Sequence, residues 1–157
     1  MAEPSPKKPR THPHYELLYH PTIPGRGEFI RLAFEAARVP YTDLANDPST
    51  PDGYTTVQQI CMTTTATESA DGNPPVFSPP ALRISGHGKG KEGSLVIAQT
   101  PNILFYLGDK LGLVPEAAGV DEEVAEAGRW HVQQVALTAL DLNNEVHDTH
   151  HPIAVAK

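Results

Sequence analysis

A polar pair lodged between a buried strand and an apolar helix constrains this chain most. Leu95-Val96-Ile97-Ala98 reads as the strand, Gln99-Thr100 follows, and Pro101-Asn102-Ile103-Leu104-Phe105-Tyr106-Leu107-Gly108 opens the helix. Pro101 suits a first helical position, where its missing N–H has no intrahelical partner to lose. Ile103, Leu104 and Leu107 form the stripe of a core-facing helix. Thr100 is then the expected N-cap, at the positive end of a helix dipole where free N–H groups hold a carboxylate well. The same pattern also serves as an ordinary capped helix with no ligand, so its meaning depends on the rest of the chain.

At 157 residues the chain is long enough for one domain, or one domain and part of another. Such a length buries roughly 70% of its unfolded surface, enough for a true core. The formal charge of −7 argues against general nucleic-acid binding, which needs a basic face to neutralise phosphates. A single cysteine, Cys61, excludes an internal disulfide framework and fits a reducing compartment. No apolar run approaches the ~20 residues of a membrane span, and Met1 to His14 lacks the hydrophobic block of a signal peptide. A cytoplasmic protein without a membrane or nucleic-acid partner is expected.

Residues 1–14, with four prolines, two lysines and an arginine, read as a disordered tail. Lys7-Lys8-Pro9-Arg10 reads as part of that solvated tail. Tyr15 to Tyr19 is strand-like and ends at His20-Pro21. Gly25-Arg26-Gly27-Glu28 opens a helix to about Arg38, with Ile30, Leu32, Ala33, Phe34 and Ala37 on its apolar face. Tyr41 to Ala45 reads as a second strand, and strand–helix–strand order predicts a right-handed parallel crossover. A modest helical patch covers Tyr54 to Met62. Strands are expected at Val76-Phe77, Ala81 to Ile84 and Ser94 to Ala98, the last two joined by the Gly/Lys-rich residues 86–93 as an antiparallel hairpin. That loop lacks the glycine spacing of a nucleotide-binding loop. Residues 113–120 read as a linker. Asp121-Glu122-Glu123 then opens a long helix to about Val146, whose Val124, Ala127, Trp130, Leu137, Leu140 and Leu142 predict burial on several sides.

Taken in order, these elements resemble a cytosolic glutathione transferase over about residues 15–157. Three motifs carry the resemblance: Leu18-Tyr19-His20-Pro21 leading through Gly25-Arg26-Gly27-Glu28 to Ile30-Arg31-Leu32, Pro79-Pro80-Ala81-Leu82, and Gln99-Thr100 before its helix. The first is similar to the tyrosine-type classes, and Val146-His147-Asp148-Thr149-His150-His151-Pro152 is similar to a segment of fungal and bacterial members. The resemblance implies an α/β thioredoxin-like N-terminal domain at residues 15–112, a linker at 113–120, and the first long helix of an incomplete, truncated all-α C-terminal domain at 121–157.

It also implies roles. Tyr19 would be catalytic, its phenol donating to the glutathione sulfur and stabilising the thiolate, with Thr22 as the fallback hydroxyl and Arg26 as a cation near the sulfur. Free thiols ionise near roughly 8.5, so only a few per cent is reactive at neutral pH without such help. Pro80 would be the cis-proline, with Pro75 as the rival register, turning the backbone of Pro79 toward the cysteinyl part of the tripeptide. Pro79 has no N–H, so one of the two expected backbone bonds is missing, which predicts weak tripeptide binding. Gln99 and Thr100 would hold the γ-glutamyl end.

The absence of a cysteine near the first helix disfavours the thiol-exchange members of that family. Glutathione is thus the implied co-substrate, a hydrophobic electrophile the second, and a homodimer is compatible with the resemblance. No metal is implied: among eight histidines, His147 and His151 share helical spacing beside Glu145 and Asp148, but no third distant ligand is evident. Two further readings stay open, a non-catalytic interaction module of the same fold and an inactive fragment of a longer transferase.

Overall fold

The computed structural model describes residues 12–63, 72–87, 93–115 and 121–150. Eight elements follow one another: β1 (Tyr15–Leu18), α1 (Gly25–Ala37), β2 (Thr42–Asp43), α2 (Gly53–Cys61), β3 (Ala81–Ser85), β4 (Ser94–Ala98), α3 (Thr100–Leu111) and α4 (Glu122–His150). The four strands form one mixed sheet in the order β2-β1-β3-β4. β1 and β2 are parallel, joined through α1 as the crossover expectation requires, while β1–β3 and β3–β4 are antiparallel.

Alternation along the strands sends side chains to two cores. On one face Tyr15, Leu17, Leu82 and Ile84 meet Ile30 and Phe34 of α1 and Ile103 and Leu107 of α3. Tyr15 and Tyr41 both pack on the Phe34 ring, with centroids at 5.2 and 4.6 Å. On the other face Leu18, Ala81 and Val96 meet Val57 and Cys61 of α2. That face also carries a cross-strand pair, Glu16 accepting two hydrogen bonds from the Arg83 guanidinium. The β4 edge is covered by Asn73, whose side-chain amide donates to the Ser94 carbonyl at 2.9 Å and accepts from the Val96 amide at 2.8 Å. A side chain there completes hydrogen bonds that an exposed edge would offer to another chain.

Several expectations need correction. Val76-Phe77 is not a strand: Val76 is buried under the sheet, whereas Phe77 is 91% exposed in an irregular segment. β2 shrinks to two residues, because the chain turns away at Leu44, whose amide makes the last bond to the Leu17 carbonyl. Leu32 faces solvent, being two residues from Ile30 and therefore on another side of α1. The long helix continues past Val146 to His150. Its apolar residues are mostly uncovered, with only Ala125 and Leu140 buried. Of the expected tail, residues 1–11 lie outside the described residues, while the His14 carbonyl accepts the Ser85 amide and extends the β1–β3 pairing. His151 also lies outside them.

Candidate functional site

Strand register decides which residues can share a site. Leu18 lies opposite Ala81, and Ala81 lies opposite Ala98. The next residues, Tyr19 leaving β1, Pro80 entering β3 and Gln99 leaving β4, therefore emerge at one end of three adjacent strands. Strands sit about 4.8 Å apart, so the row from Tyr19 to Gln99 spans about 10 Å. An extended tripeptide has about that reach.

The Tyr19 ring is buried at 7% exposure beneath the first turn of α1. Its hydroxyl accepts the Arg26 amide at 3.0 Å, one of the donors that a helix start leaves without an intrahelical partner. The bond occupies a lone pair of the phenol oxygen and leaves the phenol proton for another acceptor. Close approach of ring and helix requires glycine at 25 and 27, since a Cβ at either position would collide with Tyr19. The ring also lies under the Arg31 guanidinium, 5.8 Å from its centroid.

Arg31 is the residue that sequence reasoning passed over, although it stood inside a quoted motif. Its guanidinium donates to Asp43 at 2.7 Å, to Glu28 at 3.0 Å, and to the Ile23 and Pro24 carbonyls at 3.3 Å. It thus ties β2, α1 and the β1–α1 connection together beside Tyr19. Burial by itself would lower the Arg31 pKa, but the hydrogen bonds to Asp43 and Glu28 outweigh it and raise it. The readable signal was Glu28 and Arg31 at i, i+3 on the helix.

Arg26 behaves differently. Its side chain is exposed and donates to the Asn144 side-chain carbonyl at 2.6 Å, bringing the far half of α4 beside the β1–α1 connection. Thr22 is exposed with φ of 62°, and its amide donates to Asn46. Next to Tyr19, the His20 ring lies 3.3 Å from the Tyr54 hydroxyl of α2.

The cis peptide bond lies between Pro79 and Pro80, and not before Pro75. Pro80 is buried and Pro79 half-buried. The Pro79 carbonyl accepts the Ser78 hydroxyl at 3.2 Å.

At the end of β4, Gln99 has φ of 71° and ψ of 118°, a left-sided conformation that a non-glycine residue holds only when its surroundings impose it. Gln99 is the N-cap residue of α3 and Thr100 the first helical residue, so the expected N-cap role of Thr100 is corrected by one position. Pro101 accordingly stands second in the helix. The Thr100 hydroxyl caps nothing: it is 2% exposed and its oxygen has no hydrogen-bond partner. Buried hydroxyls are rarely left so, because the lost hydration costs roughly 1–3 kcal/mol. An unpartnered hydroxyl at a helix start, beside a strained glutamine, is the polar hallmark of this end of the sheet.

A separate cleft of about 180 Å³ lies between α3 and α4, lined mainly by apolar groups such as Leu104, Phe105, Val114 and Val132. Tyr19 does not line it. Among the described residues no group of three or more His, Cys, Asp or Glu side chains could hold a metal ion. No described helix is long and apolar enough to cross a membrane.

No protein-family model matches the chain, and no curated protein matches it. Solved structures do. A Nu-class GST (glutathione transferase) from Haemonchus contortus aligns at a TM-score of 0.53 with 22% identity, over 85% of this chain and 49% of that one. A second structure, NaGST1 in an orthorhombic crystal, aligns at 0.54 with 20% identity, over 92% and 55% respectively. The chain thus spans about half the length of these two structures. The likeness establishes the fold: a thioredoxin-like domain followed by a long helix, arranged as in glutathione transferases.

Proposed function

We propose that the chain binds glutathione in the manner of the tyrosine-type transferases and activates its thiol for conjugation to hydrophobic electrophiles. The observation that carries this reading is the convergence of Tyr19, the cis-linked Pro80 and the Gln99-Thr100 pair at one end of the sheet. The γ-glutamyl end would occupy the start of α3, where free N–H groups favour a carboxylate and the Thr100 hydroxyl lacks a partner. The cysteinyl part would run alongside Pro79 and Pro80. Pro79 offers a carbonyl but no N–H, which leaves one main-chain bond where a non-proline residue would give two.

The sulfur then reaches the Tyr19 hydroxyl. That oxygen already accepts the Arg26 amide, and its own proton stays available to donate to the sulfur. A hydrogen bond to the thiolate favours ionisation, and each unit of pKa depression corresponds to about 1.4 kcal/mol. The thiolate attacks an electrophilic carbon, forming a C–S bond as the leaving group departs with its electron pair. The Arg26–Asn144 contact brings α4 beside this point, so the electrophile would lie between the β1–α1 connection and α4. A reducing, cytoplasmic setting suits both the substrate and the lone thiol.

Calorimetric titration with glutathione tests the binding step. Saturable binding that falls at least tenfold in Thr100→Ala and Gln99→Ala supports the reading; absence of binding by the wild-type chain overturns it. A conjugation assay with a chromogenic aryl halide tests the chemistry. Tyr19→Phe is expected to lose most of the rate while still binding glutathione, and equal rates would remove Tyr19 from the mechanism.

A further inference from the structure

Two helices pack on one face of the sheet and one on the other, which divides the strand ends into two sides. α1 and α3 lie against Tyr15, Leu17 and Leu82, and α2 lies against Leu18, Ala81 and Val96. The two residues that leave β1 follow that division. The Tyr19 hydroxyl meets the first turn of α1, while the His20 ring meets the Tyr54 hydroxyl of α2. A tripeptide that starts at the head of α3 and crosses the strand ends over Pro80 therefore carries its C-terminal end toward the α2 side.

Charge on that side has one sign. Residues 39–82, which supply β2, α2 and the approach to Pro80, contain no lysine or arginine but do contain Asp43, Asp47, Asp52, Glu68 and Asp71. β2 runs parallel to β1, so the turn that follows it and the start of α2 fall at the site's end of the sheet. Asp52 stands exposed at the N-cap of α2, and its carboxylate makes no capping bond. The positive start of that helix, which suits an anion, thus already has one beside it. Asp47 stays ionised, because the Ser49 hydroxyl and amide hold its carboxyl below the usual carboxylate range. Among the described residues the guanidiniums around the site are engaged: Arg31 with Asp43 and Glu28, Arg83 with Glu16, and Arg26 with Asn144 of α4.

We propose that this site, on the glutathione reading above, prefers γ-glutamylcysteinyl thiols whose C-terminal carboxylate is blocked, as in an amide or ester, over glutathione itself. The γ-glutamyl end occupies the start of α3 in either case, and the sulfur meets Tyr19 as before. Only the far end differs. A free carboxylate there enters the field of Asp47 and Asp52, and Pro79, with no N–H, supplies no donor to offset it. A blocked end carries no charge to repel.

Calorimetric titration of the full chain with glutathione, its C-terminal amide and its C-terminal ethyl ester tests the preference. The amide and the ester are expected to bind about fivefold tighter than glutathione at low ionic strength, a gap that narrows as salt screens it. Asp52→Asn keeps a residue suited to the N-cap and is expected to raise the affinity for glutathione about twofold, leaving the blocked forms as they were. Thr100→Ala should weaken all three alike, since they share the γ-glutamyl end. Equal affinities for the three, or tighter binding of glutathione, overturn the proposal while the glutathione reading stands. A preference for the free acid that disappears in His20→Gln also overturns it, by assigning the carboxylate to His20. Absence of binding by all three overturns the glutathione reading, and this proposal with it.

Discussion

The sheet domain and α4 are built from similar proportions of apolar residues but use them in opposite ways. In the sheet domain Leu17, Leu18, Ile30, Phe34, Leu82, Ile84, Ile103 and Leu107 are all at 0% exposure. In the 29 residues of α4 only Ala125 and Leu140 are buried, while Trp130, Val135 and Leu142 face outward. A helix draws most of its stability from packing one face and not from propensity. The sheet therefore supplies the rigid frame that fixes Tyr19, Pro80 and Gln99, and α4 is an element whose order depends on what touches it.

Truncating the core should expose this contrast most strongly. Phe34→Ala removes the ring on which Tyr15 and Tyr41 pack and is expected to destabilise the protein by about 3–5 kcal/mol, read from denaturant unfolding. A loss below about 1 kcal/mol would mean that the frame is far looser than its burial implies.

Gly27→Ala comes next. The new methyl meets the Tyr19 ring, so a cost of about 1–3 kcal/mol is expected. Glutathione affinity should fall with it, because the ring must move from beneath Arg26. Unchanged binding would separate Tyr19 from the site.

Alkaline pH gives a further test of the frame. Burial, reinforced by Tyr106, pushes the Tyr15 phenol up to about 12 from 10.0. A phenol whose folded pKa lies above its unfolded one adds stability that is complete below pH 10 and lost as pH rises through 12. Thermal melts should therefore fall across that window, and less steeply in Tyr15→Phe; an equal slope would remove Tyr15 as the cause.

Gln99→Gly should act in the reverse direction. Relief of the positive φ is expected to stabilise by about 1 kcal/mol while weakening glutathione binding, a division between stability and function that belongs to the site alone. The smallest effect falls on α4: Trp130→Ala, at 62% exposure, is expected to shift stability by no more than about 0.5 kcal/mol. A large loss would show that α4 is as integral as the sheet. Hydrogen exchange should agree, with α4 amides opening before those of β1 and β3.

Much of the frame was legible in the sequence because period and breakers speak for themselves there. Tyr15 to Leu18, the helix from Gly25, and Ser94 to Ala98 all follow from alternation or a 3.6-residue stripe bounded by Pro or Gly. Val76-Phe77 misled because two apolar residues say nothing about whether neighbours exist to pair with. Leu32 and the outward residues of α4 misled for a related reason: hydrophobicity marks what could be buried, while burial requires a partner surface. At the site, sequence order carried Tyr19, Pro80 and Gln99-Thr100, and register brought them to one end of the sheet. Arg31 stayed hidden, since its role depends on Asp43 and two loop carbonyls that meet only after folding. The one-residue displacement of the α3 cap, from Thr100 to Gln99, turns on a backbone angle that residue type alone does not announce.

Ultraviolet difference titration of bound glutathione tests the central claim most directly, because it reads the thiolate at the place where the phenol is assigned. With the wild-type chain the bound thiol is predicted to ionise well below its free value of roughly 8.5, and to return to it in Tyr19→Phe. Ionisation at the free value in both proteins, with glutathione bound, would contradict the account.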